Sequence, residues 1–273
     1  MRRRTVLLLL AALAALTGAS AQSVSYTPVS KEVVGKRLHQ VKKNNAEREA
    51  ALKGLFAEAG CHPPALVELG VKHEDIPNVV CTLKGSSDSV IVVGAHSDHV
   101  HSGEGAADNW SGAALLPSLL QSLSDSPRKH TFVFIGFTAE EKGLVGSKAY
   151  ADHLSQEDRA KIQAMVDIDT LGLSSTKVWA TRADKKLLEE LLRVAYSMKL
   201  PLEAVNADRV GKADSFSFDK YKIPTIAIHS ITQQTWRLLH SDKDTLAVLQ
   251  LDDYYDTYRL LAVYLAHLDN VLP

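Results

Sequence analysis

The chain has 273 residues, 45% of them hydrophobic and 23% charged, with a formal net charge of −1. That composition excludes a disordered or fibrous chain and supplies a full apolar core. Beyond the first 21 residues, bases cluster only in short runs such as Lys42-Lys43 and Lys185-Lys186, so neither nucleic acid nor an anionic membrane surface is an expected partner.

Residues 1–21 have the layout of a cleavable export signal. Arg2, Arg3 and Arg4 precede an apolar run over residues 6–16, and Ala19-Ser20-Ala21 offers a small-residue cleavage site. The run is too short to span a bilayer as a stable helix. Its removal takes away three arginines and no acids, which moves the formal charge from −1 to −4. The expected product is a secreted or periplasmic protein, free of the membrane, with residues 22–273 as a single domain. In an oxidising compartment Cys61 and Cys81 favour a disulfide, worth about 3 kcal/mol on the chain-entropy account.

Val33, Val34, Leu38 and Val41 recur at helical spacing after Ser30, and residues 46–59 repeat the pattern with Ala50, Leu52, Leu55 and Phe56 before Gly60. Pro63-Pro64 breaks the chain. Residues 78–83 read as a strand, residues 85–89 as a hairpin turn, and residues 90–93 as a buried strand ending at Gly94. A helix follows Asp108 to about Leu123; Pro117 inside it predicts a bend, since an unrelieved interior proline costs roughly 3 kcal/mol. Residues 131–137 and 164–168 are apolar strands, with a helix ending near Leu154 between them. Short strands at 178–180, 202–205 and 223–228 and helices at 185–198 and 251–268 complete the chain. Strands alternating with helices imply a mostly parallel sheet covered on both faces.

The polar residues gather at the strand ends: His96, Asp98, Asp108, Glu140, Glu141 and Asp169, then His240 in a late loop. Nitrogen and oxygen donors without thiolate suit zinc, with cobalt or manganese as substitutes. Several carboxylates together can hold two metal ions with one carboxylate bridging. A spare glutamate beside a ligand can serve as a base. Asp167 competes with Asp169 for a ligand role.

Five stretches carry a resemblance: Gly94-Ala95-His96-Ser97-Asp98-His99, Gly105-Ala106-Ala107-Asp108-Asn109-Trp110-Ser111-Gly112, Ala139-Glu140-Glu141-Lys142-Gly143-Leu144-Val145-Gly146-Ser147, Asp167-Ile168-Asp169-Thr170-Leu171-Gly172 and Leu239-His240-Ser241-Asp242-Lys243-Asp244-Thr245. In this order they resemble the M28 family of zinc exopeptidases. The resemblance implies an α/β three-layer sandwich with a mixed, mostly parallel central sheet, the phosphorylase/hydrolase-like fold, and two zinc ions per chain. By motif, His96 and Asp169 would hold one zinc, Glu141 and His240 the other, and Asp108 would bridge them. Gly172, three residues on, favours Asp169 over Asp167. Asp98 would bond the second nitrogen of His96, and Glu140 would shuttle the proton as the catalytic base.

Departures from the family pattern are equally legible. Lys212-Ala213-Asp214-Ser215-Phe216 has no histidine or tyrosine where the family often shows one. Lys212 or Arg209 then either assists the oxyanion or belongs to a solvated loop. Trp110 replaces a small residue and either shapes the mouth of the site or packs. His99 and His101 are expected at the rim, and His229 as a satisfied interior histidine. The resemblance implies an aminopeptidase acting on peptide substrates. Arg209, Lys212 and Arg237 keep a carboxypeptidase open, and a non-catalytic binding module on the same fold is the reading from another class. The five-residue step from Glu141 to Gly146 is short for a glutaminyl cyclase.

Overall fold

A computed structural model describes residues 24–208 and 211–273. The expected export signal and Arg209 lie outside the described residues. The first helix, α1 (Lys31–Leu38), begins where Ser30 accepts a hydrogen bond from the Val33 amide, and α2 (Asn45–Glu58) where Asn44 accepts from Ala46 and Glu47. The described helices include none long and apolar enough to cross a membrane.

After Pro63-Pro64 comes a strand the periodicity did not reveal, β1 (Leu66–Leu69), antiparallel to β2 (Asn78–Leu83). Next is β3 (Val90–His96), two residues longer than expected, so His96 is its last residue. A tight turn over Ala106–Trp110 leads into α3 (Ser111–Ser124), which contains Pro117. The chain proceeds through β4 (Thr131–Phe137), α4 (Val145–His153), α5 (Gln156–Lys161), β5 (Ile162–Ile168), β6 (Lys177–Val178) and α6 (Lys185–Met198). It ends with β7 (Glu203–Ala204), α7 (Phe216–Asp219), β8 (Thr225–His229) and α8 (Leu251–Val271).

The eight strands lie in the order β1-β2-β4-β3-β5-β8-β6-β7. Central strands β4, β3, β5 and β8 run parallel, and the antiparallel pairs flank them. The fold is thus α/β with a mixed, mostly parallel sheet, as expected. One expectation fails. Residues 85–89 are not a hairpin, because β2 pairs with β4 and β4 occupies the slot between β2 and β3. The turn instead crosses the approach to β4, with Ser86 and Ser87 donating to the carbonyls of Arg128 and Lys129.

Alternate residues of β4 serve opposite faces. Phe132 and Phe134 join the core formed with α1, α2, α3, α6 and α8, while Val133, Ile135 and Phe137 join Ala151 of α4 and Phe218 of α7. Helices therefore cover both faces. A disulfide joins Cys61, just after α2, to Cys81 of β2, across a Cα separation of 6.4 Å. Between β3 and its neighbours β4 and β5 the chain runs outward in both directions, and ligands collect at the carboxyl ends of strands around such a point.

Candidate active site

Three parallel strands present their carboxyl ends side by side. His96 closes β3, Glu140 and Glu141 follow β4, and Asp169 follows β5. The turn before α3 brings in Asp108, and the loop after residues 236–238 brings in His240. The Nε2 of His96 lies 3.2 Å from Asp108 Oδ1, 3.7 Å from Asp169 Oδ1 and 4.0 Å from Glu140 Oε2. The Nε2 of His240 lies 3.2 Å from Asp108 Oδ2 and 3.0 Å from Glu141 Oε2. Each oxygen of Asp108 thus faces a different imidazole, and each imidazole has a further carboxylate of its own.

A tetrahedral zinc with bonds near 2.0–2.2 Å holds its donors roughly 3.4 Å apart. The spacings of 3.0–3.7 Å among these donors fit that requirement on both sides of Asp108. His96, Asp108 and Glu141 alone already offer donor atoms within 4.8 Å of one another. Glu141 Oε1 is buried with no hydrogen-bond partner among the described residues, a costly state that a cation would relieve. The residues present fit a pair of zinc ions.

The electrostatics agree. Burial opposes a charge on His96, yet the carboxylates of Asp108 and Asp169 outweigh it and hold its pKa well above the usual imidazole value. Hydrogen bonds to Asp108 and Glu141 push His240 up to about 10. Burial raises Asp108, but the two imidazoles win and keep it below the usual carboxylate range. Burial, with Asp214, Asp169 and Glu141 nearby, drives Glu140 up to about 9.

Asp98 works differently from its expected role. Its carboxylate lies 3.6 Å from His96 Nδ1, too far for a hydrogen bond, and accepts instead from the amides of Glu140 at 3.0 Å and Glu141 at 3.3 Å. The partner of Nδ1 is the main-chain carbonyl of Asp98, at 3.1 Å. A carbonyl only accepts, so Nδ1 carries a hydrogen, which leaves Nε2 as the nitrogen that a metal would take. The Asp98 carboxylate thus anchors the main chain of both glutamates while standing beside His96 Nδ1.

Other placements follow from packing. Asp167 is buried and accepts from the Ser215 amide at 2.6 Å, facing away from the imidazoles, so Asp169 alone of the two joins the cluster. His99 is not at the rim: it is 5% exposed, with Nε2 on the Lys43 carbonyl. His101 is exposed and does not line the cleft. His229 engages both ring nitrogens, with the Val205 carbonyl and the Ile231 amide. Trp110 is fully buried and donates to the Leu38 carbonyl, so it packs. The cleft, about 700 Å³, has an apolar wall of Trp179, Ala207, Ala213, Ile228 and Ile231, with Lys212 and Arg237 exposed along it.

Several residues essential to this geometry carried no assigned role in the sequence. Asn109 accepts from the amides of Gly112 and Thr170 and donates to the Ile168 carbonyl, tying the Asp108 turn to the end of β5. Asp244 accepts from the amides of Ala107 and Asp108, joining the His240 loop to the same turn. At Gly112 a side chain would meet the Ile168 carbonyl at 2.4 Å, so glycine is required by close approach. Ala139, Leu144, Thr170 and His240 hold φ between 54° and 63°, a left-handed backbone that non-glycine residues avoid.

Among solved structures, the LapA aminopeptidase of Legionella pneumophila matches with a TM-score of 0.77 at 21% identity, over 90% of this chain and 73% of that one. A zinc aminopeptidase from Bacillus subtilis matches at 0.65 and 22% identity, over 70% of this chain and 50% of that one. A glutaminyl cyclase from an Acidobacteriales bacterium matches at 0.72 and 18% identity, over 93% and 99%. At these identities the likeness establishes the fold, the sandwich on which zinc aminopeptidases are built. The family follows from the sequence itself: residues 78–265 match the model of peptidase family M28, and the chain belongs to that family. Curated relatives include an aminopeptidase of Pseudomonas aeruginosa, 36% identical over 108 residues, which are 39% of this chain and 20% of that protein. Leupeptin-inactivating enzyme 1 of Streptomyces exfoliatus is 31% identical over 150 residues, 54% of this chain and 34% of that protein. The matched segments thus span a fifth to a third of those relatives' lengths.

Proposed function

We propose that this M28 peptidase is an exported dizinc aminopeptidase that hydrolyses the N-terminal bond of peptides. One observation carries the reading: each carboxylate oxygen of Asp108 lies 3.2 Å from a different imidazole. That split supports Asp108 as the bridge, with His96 and Asp169 as ligands on one side and His240 and Glu141 on the other. Bound zinc would supply Lewis acidity for the scissile carbonyl and the attacking water. Glu140 stands beside the cluster without bonding an imidazole, at 4.0 Å from His96 Nε2. There it can take the water's proton on a carboxylate oxygen and return it to the leaving amine. The Glu140 and Glu141 amides sit on Asp98, which fixes both side chains relative to the strand end.

The free amine of a peptide needs no cationic clamp, only carboxylates, and these are abundant in the site. Export is supported by the signal-like residues 1–21 and by the Cys61–Cys81 disulfide, a bond typical of oxidising compartments. A second reading, glutaminyl cyclase, rests on the fold match to cyclases. The test measures zinc per chain in the wild type and in Asp108→Ala, together with release of amines from aminoacyl substrates and ammonia from N-terminal glutamine, with and without chelator. Two zinc ions lost together in the variant and chelator-sensitive aminoacyl hydrolysis are expected. One zinc that survives Asp108→Ala, with ammonia release alone, sinks the aminopeptidase reading.

A further inference from the structure

Residues 97–105 join His96 to the Asp108 turn and contain no helix or strand. A segment of this kind is ordinarily mobile, yet it must keep two proposed zinc ligands in register. Arg48 lies under it. Although charged, Arg48 faces inward from α2 on the same side as Leu52, Leu55 and Phe56, and it has no solvent exposure. Its Nε donates to the Ser97 carbonyl, one terminal nitrogen to the carbonyls of Lys42 and Glu104, and the other to that of Gly105. No carboxylate pairs with it among the described residues; its guanidinium carbon stands 5.4 Å over the Trp110 ring. Four of its five N–H donors are thus taken by main-chain carbonyls, three of them at the two ends of the 97–105 segment.

The neighbouring residues reinforce the same segment. The Asn45 side-chain amide makes a reciprocal pair with the main chain of His99, donating to its carbonyl and accepting from its amide. The carbonyl of Lys43 meets His99 Nε2 at 2.9 Å. From the opposite side, the Asp244 carbonyl accepts from the Glu104 amide.

We propose that Arg48 is a positioning residue for the metal centre: its guanidinium clamps both ends of the loop joining His96 to Asp108 and so sets the spacing of the two ligands. This rests on the metal-site reading above. The fork geometry matters as much as the charge. A lysine has three donors on one nitrogen and a shorter reach, so it cannot meet carbonyls at both ends of the loop. Arg48 also places a fixed positive charge behind Asp98, Asp108, Glu141 and Asp244, which lowers the cost of gathering those carboxylates in a buried site.

The test compares Arg48→Lys and Asn45→Ala with the wild type and with Arg37→Lys. Arg37 is also buried, but its partners are Ser118 and Gln121 on α3, away from the cluster. Zinc dissociation constants are measured on the full chain by chelator competition at a temperature where circular dichroism shows each variant folded, and kcat and KM are measured after zinc loading. Arg48→Lys should weaken zinc about ten- to a hundred-fold, the usual effect of losing an outer-shell partner. It should lower kcat with KM near wild type. Asn45→Ala should show the same pattern several-fold more weakly, and Arg37→Lys should leave zinc affinity unchanged. If Arg48→Lys fails to fold, Asn45→Ala decides, because its half-buried position tolerates truncation. Wild-type zinc affinity in folded Arg48→Lys, or in Asn45→Ala when the lysine variant does not fold, overturns the clamp and leaves the site reading standing. A wild-type chain that binds no zinc overturns both.

Discussion

The two halves of the site use the same ligand chemistry at two levels of preparation. His96 ends a central strand, is 2% exposed, and has its outer nitrogen fixed by a main-chain carbonyl. His240 stands on a loop, with 56% of its side chain exposed, and among the described residues its ring is held only by the carboxylates of Asp108 and Glu141. The His96 half is a product of the core, present once the sheet forms. The His240 half depends on the charges it meets. Rigid elements hold ligands more closely than loops do, so the inner metal position should be the tighter one.

The largest expected effect tests where the proton chemistry lies. Glu140→Gln preserves shape but cannot accept a proton; kcat should fall by roughly 10²–10⁴ with KM little changed. Both metals should remain, since Glu140 belongs to neither half as a ligand. Metal loss in Glu140→Gln, with retention in Glu141→Gln, would reverse the two roles.

Next in size is the division between the halves. His240→Ala should give a folded chain that keeps one tightly held zinc and regains part of its activity on adding metal. Titration with a chromogenic chelator separates the two sites. Equal weakening of both ions would show that the halves do not act independently.

The smallest effect is a pH dependence, and its sign is fixed by the raised values. His240 titrates near 10 in the metal-free protein and Glu140 near 9, both above their ordinary values. A group whose folded pKa is raised contributes stability below its unfolded pKa and loses it as pH rises through the folded one. The metal-free chain should therefore lose stability from about pH 4.5 to 9 through Glu140 and from about pH 6.5 to 10 through His240, while zinc, which requires the neutral imidazole, binds more tightly over the His240 range. The rise in Tm caused by zinc should be larger at pH 9 than at pH 6. A zinc-induced shift that shrinks with rising pH would contradict the assignment of His240.

What could be read beforehand follows a physical line. Strand termini are visible as apolar runs that stop, so His96, Glu140, Glu141 and Asp169 could be grouped from the chain alone. The motif assigns Asp98 to the second nitrogen of His96, but its contact with two amides accompanies the left-handed turn at Ala139, which no local pattern announces. The short β1 after Pro63-Pro64 was hidden because four residues give too little alternation. The supposed hairpin at residues 85–89 failed because a turn signal does not reveal which strand fills the adjacent slot. Arg48 left one trace: a charge at position 48 falls on the face of α2 that carries Leu52, Leu55 and Phe56. Asn109 and Asp244 act through main-chain amides, and such partners are written in tertiary structure only.

The left-handed residues around the cleft also bear on how this protein can change. Ala139, Leu144, Thr170 and His240 each keep a backbone conformation that costs an L-residue roughly 1–2 kcal/mol. Glycine at Ala139, Leu144 or Thr170 would relieve that strain and also loosen the strand ends on which Glu140 and Asp169 depend. At Ala139 or Leu144 a β-branched residue would worsen the strain, whereas Thr170 already carries one. The substitutions most favourable to thermal robustness here are therefore the ones most apt to slow turnover, and drift at these positions is narrow in both directions.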